Sequence, residues 1–97
     1  MRILTFETFR PHLNSTFALG LGESSIELTL TQATKQPVQP FPGMMREPFS
    51  LIFRSGTPVV LPQRLYPLKH QEMGRLDIFI VPIGRDPQGI VYQALFN

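Results

Sequence analysis

From Gly74 to Asn97 the chain reads as one long β-hairpin, and no other stretch restricts its fold so strongly. Gly74 to Ile83 is rich in β-branched and aromatic residues, Gly84 to Gly89 carries the turn residues, and Ile90 to Asn97 returns. Branched and aromatic side chains suit a pleated, half-buried surface. Asp86-Pro87 starts a turn, and Gly89 supplies a positive φ. Both faces of the outgoing strand are apolar, with Leu76, Ile78 and Ile80 on one and Phe79, Val81 and Ile83 on the other. The return strand sets Ile90, Tyr92, Ala94 and Phe96 against Val91 and Leu95. A strand covered on both sides is central in a sheet, or one of its faces meets another molecule.

The rest of the chain supplies partners for this hairpin. Ser25 to Ala33 alternates strictly, with Ile26, Leu28 and Leu30 inward and Glu27, Thr29 and Thr31 toward water. That half-wet pattern belongs to an antiparallel sheet. Asn14 to Leu21 is extended, with Phe17, Leu19 and Leu21 on one side, and Gly22-Glu23-Ser24 turns. Phe49 to Arg54 points Phe49, Leu51 and Phe53 inward. Gln63 to His70 is a further strand, and Pro67, which has no N–H to give a ladder, makes it an edge or bulged one. Gln63 itself is placed to bond the backbone where Pro62 removes a donor. Thr5 to Arg10 reads as a helical turn that plugs one end with Phe6 and Phe9, and Pro11 stops it. The expectation is an all-β domain over residues 1–97, a small six-stranded antiparallel barrel or sandwich, meander-like, with a short N-terminal helical turn. Ninety-seven residues leave too little chain for a second core.

One segment breaks the pattern. Residues 34–48 hold prolines at 37, 40, 42 and 48, which forbid a continuous ladder. An extended, proline-rich arm is expected. It carries Val38, Phe41, Met44 and Met45, too much apolar surface for a spacer. Either the arm folds back over a sheet edge, or it offers these groups to a partner.

Chemistry is harder to find. The formal charge is +2, and the seven arginines are scattered. A nucleic-acid binder concentrates its cations, and only Arg54, Arg64 and Arg75 could be gathered by strand geometry, so no nucleic-acid partner is expected. There is no cysteine, hence no thiolate metal site. No apolar run reaches the ~18–20 residues of a membrane helix. Met1 to Glu7 lacks the apolar core of a signal peptide, so a cytoplasmic, soluble product is expected. His12, His70 and Glu72 hold the ingredients of a two-histidine-one-carboxylate site, but they sit in separate turns; bonding a backbone carbonyl is the simpler role for His70. Gly20-Leu21-Gly22-Glu23-Ser24 is neither a nucleophile elbow nor a dinucleotide fingerprint. No catalytic set and no cofactor site emerge.

The C-terminal half, however, is similar to a known group. Pro48-Phe49-Ser50-Leu51, Leu61-Pro62-Gln63, Tyr66, His70, Gly74, Phe79, Val81-Pro82, Gly84 and Tyr92-Gln93-Ala94-Leu95-Phe96 resemble a family of short, functionally uncharacterised bacterial domains. The match covers about residues 45–97, with a looser one at Phe9, Leu13, Asn14 and Phe17. Family members often end in Tyr-Glu-Ala-Val-Phe; the glutamine at 93 departs from that pattern. The resemblance implies no activity. It does imply association with phage-tail-like collar or fibre proteins.

Taken together, these readings favour a non-enzymatic structural or interaction module, with a protein partner or a second copy bound through Phe41, Met44, Met45, Ile78 and Ile80. Incorporation into a tail-like assembly would follow from the resemblance. The alternative is a small barrel whose eight phenylalanines line a site for an apolar small molecule.

Overall fold

The computed structural model describes residues 3–37, 42–43 and 47–97. Six antiparallel strands form one sheet: β1 (Thr16–Leu21), β2 (Ser24–Lys35), β3 (Phe49–Ser55), β4 (Arg64–His70), β5 (Gly74–Asp86) and β6 (Gly89–Phe96). They close into a barrel-like ring in the order β1-β2-β3-β6-β5-β4. The order is two three-stranded meanders joined back to back, not one continuous meander. The connection 56–63 therefore leaves β3 and crosses an end of the ring to reach β4, on the far side of β5 and β6.

The alternation read from the sequence fills the ring. Phe17, Leu19, Leu28, Leu30, Phe49, Leu51, Phe53, Leu68, Ile80 and Tyr92 are all fully buried. Phe17 meets Phe53 edge to face, with centroids 5.5 Å apart. Six strands enclose a space that side chains normally occupy, and here they do. Ile26 and Leu21, near the turn of the β1–β2 hairpin, are half-buried and exposed respectively.

Four local features depart from the sequence reading. β2 runs two residues further than expected, so Thr34 and Lys35 belong to the ladder, with Lys35 opposite Phe49. The Gln36 N–H then donates to Pro48 O, one bond beyond the paired Lys35 and Phe49. Residues 38–41 and 44–46 of the proline-rich arm lie outside the described residues. In β5 the strand continues to Asp86, Ile83 bulges between Pro82 and Gly84, and Asp86 pairs with Gly89 across a turn of two residues. Pro67 does not lie on a free edge. It pairs with Asp77 of β5, while the β1–β4 ladder is reduced to Ala18↔Lys69 and Leu19↔Leu68. A proline nitrogen cannot extend that ladder. Its ring instead packs over Gly20, where a Cβ would stand 3.3 Å from Pro67 Cγ.

Each end of the ring is covered. At one, α1 (Phe6–Phe9) is capped by Thr5, whose hydroxyl accepts from Thr8 N while Thr8 Oγ1 accepts from Thr5 N. Pro11 does not stop the helical path; a 3₁₀ turn spans Arg10–His12, because proline fits the first positions of a helical turn. Phe9 is fully buried against Phe49 and Phe96, and those two rings stack 4.5 Å apart. At the opposite end the buried Tyr92 hydroxyl accepts from Leu61 N (3.1 Å) and donates to Val59 O (3.4 Å), tying down the crossing connection. Tyr92→Phe strands the Leu61 N–H without a partner, which costs about 1–3 kcal/mol. Thermal denaturation should show a midpoint lower by roughly 5–15 °C. An unchanged midpoint would mean the connection is held without the hydroxyl.

Candidate functional site

Of the five side chains that the sequence offers as partner contacts, Phe41, Met44 and Met45 lie outside the described residues. Ile78 and Ile80 lie inside the ring, 1% and 0% exposed. They have no surface to give a partner, so the outward phase of β5 is the other one. There Phe79 is 49% and Ile83 51% exposed, beside Leu65 at 57% and Leu95 at 61%. Leu65 stands directly opposite Phe79 across β4 and β5. Val81 is opposite Gln93 across β5 and β6; Phe79 and Leu95 lie two residues beyond that pair on the same outer face. The half-buried Val81 and Val91 complete the patch.

The sequence held a signal for this choice of phase. Arg75 and Asp77 share the parity of Phe79 and Val81, and Gln93 shares that of Val91 and Leu95. The parity of Leu76, Ile78 and Ile80 contains no charge. Charged side chains are almost never fully buried unpaired, so they mark the face turned to water. Phe79 and Leu95 are apolar residues on that wet face.

The polar surroundings are largely self-satisfied. Arg54 grips Asp86 in a two-pronged pair, Nη1 to Oδ1 at 2.8 Å and Nη2 to Oδ2 at 2.7 Å. That bond, with the Gln88 N–H, holds the Asp86 carboxyl below its ordinary pKa and raises that of Arg54. Arg75 reaches Asp77 at 3.3 Å, and Arg64 is exposed at the start of β4. The three arginines that strands could have gathered are therefore not one basic patch. Gln63 is exposed, and the bond at Pro62 is made by Tyr66, whose hydroxyl donates to the Pro62 carbonyl at 2.7 Å.

The two histidines meet although 58 residues separate them in sequence: their ring centroids are 4.6 Å apart. His70 Nδ1 accepts from the backbone N–H groups of Glu72 (3.0 Å) and Met73 (3.2 Å), the reverse of the expected bond to a carbonyl. Its Nε2 lies 2.9 Å from Ser15 Oγ, and that hydroxyl donates to His12 O. Two donors aimed at Nδ1 put the neutral ring's hydrogen on Nε2. The ring thus donates to Ser15 and does not withdraw a proton from it. Burial lowers the pKa of His70, the charge of His12 lowers it further, and Glu72 acts in the other direction. Among the described residues no three His, Cys, Asp or Glu side chains are grouped to hold a metal ion.

Two depressions open on the outside of the ring. One, of about 450 Å³, lies among Gly56, Pro58, Arg85 and Gly89. The other, of about 490 Å³, follows the β1–β4 seam beside Gly20, Pro67, Lys69 and Arg75. Among the described residues no helix is long and apolar enough to cross a membrane.

Residues 4–96 match the model of a protein family described as a domain of unknown function, DUF6916, and the chain belongs to that family. No curated protein matches the chain, and no solved structure does.

Proposed function

We propose that this member of the family is a non-enzymatic interaction module, an accessory or assembly partner of a phage-tail-like fibre or collar protein. One observation carries the docking part of this reading. Leu65, Phe79, Ile83 and Leu95 are about half exposed on one outer face. Together they present on the order of 300–400 Å² of apolar surface, the size at which the largest patch of a monomer is often functional. A closed ring offers little strand edge for pairing, so a partner must be met by side chains. Phe41, Met44 and Met45 are proposed as further partner contacts on the sequence alone, since methionines adapt to varied surfaces. The fibre or collar partner rests on the family resemblance of the C-terminal half. The absence of chemistry is supported by His70, whose two ring nitrogens are both engaged. The filled interior leaves little room for the small-ligand alternative.

Light scattering of the protein, alone and with the neighbouring fibre or collar gene product, tests the proposal. The expected result is a complex or a self-associated species. Phe79→Ser with Leu95→Ser should abolish it while the thermal midpoint stays within a few degrees, because both side chains already face water. A monomer that ignores that product in the unmutated protein would overturn the reading.

A further inference from the structure

We infer that His70 is a proton-operated latch, and that protonating its ring releases the segment from Phe6 to Ser15 and uncovers the apolar end of the ring beneath Phe9. The latch is a short chain of hydrogen bonds of one polarity. The Nε2–H of His70 donates to Ser15 Oγ, and Ser15 donates onward to the carbonyl of His12. His70 is the last residue of β4, whereas His12 and Ser15 belong to the covering segment. The bonds therefore join the β4–β5 turn to the cover across the rim.

The neutral ring fits this place and the charged ring does not. The only nitrogen free to take a proton is Nδ1, and Nδ1 faces the N–H groups of Glu72 and Met73. Both donors belong to the backbone of one tight turn and cannot rotate away as a hydroxyl would. A hydrogen placed on Nδ1 would meet two others, so the ring must leave or the turn must open. The groups around the ring agree. From the 3₁₀ turn, His12 acts on the ring as a like charge at a centroid distance of 4.6 Å. From the β4–β5 turn, Glu72 supplies the one opposing charge. From β1 comes only Phe17, whose ring lies 4.5 Å from that of His70. Lys69, the neighbour of His70 on β4, is exposed.

The sign follows from which state binds protons. A base held below its unfolded pKa of about 6.5 takes up fewer protons folded than unfolded. Its stabilising contribution is complete above that value and is lost as the pH falls from it toward the folded pKa. Local opening is the cheapest response. Besides the His70–Ser15 bond, the cover is held by the backbone bonds Asn14 N to Leu30 O and Leu30 N to Ser15 O, by the exposed Lys35–Glu7 pair and by Phe9. Acid should then loosen residues 6–15 while β3 and β6 remain paired.

Amide hydrogen exchange at pH 7.5 and pH 5.0, corrected for the intrinsic rate, tests this. Amides of residues 6–15 should lose protection severalfold at the lower pH, with β3 and β6 unaltered. His70→Asn keeps an oxygen to accept from Glu72 and Met73 but cannot titrate, so its cover should exchange equally at both pH values. Should that variant fail to fold, the unmutated protein still decides: the NMR titration midpoint of the His70 ring must coincide with the pH at which the cover opens. Equal protection at both pH values, an undiminished pH effect in His70→Asn, or a mismatch of midpoints would overturn the inference.

Discussion

Replacing Gly89 by alanine should cost about 3–5 kcal/mol, among the largest effects that a single substitution has in a small domain. Gly89 opens β6 with φ at +139°, a conformation that side chains rarely adopt. A Cβ there would overlap the carbonyl oxygen of Ser55, 2.9 Å from its carbon and 3.2 Å from the Cα of Gly56. All three neighbours are backbone atoms, and Ser55 is fully buried at the end of β3. No side chain can swing aside, so either the Ser55↔Ile90 pairing or the turn must break. Thermal unfolding should move down by roughly 15–30 °C. Gly22→Ala is the control: its φ is +82° but nothing lies within 4 Å, so only the backbone strain of about 1–2 kcal/mol applies. If the two variants melt together, the close approach of β6 to Ser55 is wrong.

Phe9→Ala should be comparable, about 3–5 kcal/mol, because a fully buried ring is lost and the space cannot collapse. Its neighbours Phe49 and Phe96, at 6.0 and 5.7 Å, sit on paired strands and cannot move in to fill the gap. Chemical denaturation of Phe9→Ala and Phe9→Leu would check this. The leucine variant should keep most of the stability, since it restores apolar volume. A loss below about 1 kcal/mol in the alanine variant would mean that the Phe9 ring contributes little to stability.

Where one face of a strand is wet, the sequence was readable residue by residue. Leu28 and Leu30 in β2, and Phe49, Leu51 and Phe53 in β3, point inward as their alternation predicts. The helical turn begins at Thr5 as expected, and Thr5 caps it with Thr8 as reciprocal partner. β5 and β6 were not legible in this way, since apolar residues on both faces leave the phase undetermined. The partner contacts expected at Ile78 and Ile80 are buried, and Phe79 with Leu95 holds the outer place instead. The polar residues Asp77 and Gln93 could have decided it. The joining of β3 to β6 and the crossing to β4 depend on pairings that no local pattern encodes. The bulges at Thr31 and Ile83 shift register by one residue, which neither side chain announces. His70 and Ser15 are 55 residues apart, and only the ring's closure brings them together.

Pro67 has a wider consequence. β1 and β4 are fastened by two residue pairs, whereas β3 and β6 are fastened by seven. The wall of this molecule thus has a single weak stitch, and the proline resting on Gly20 is what keeps it short. Unpicking it would sacrifice few backbone bonds and leave two intact triple-stranded halves still clasped along β3 and β6. The hoop has a built-in line of parting, on the flank away from that clasp.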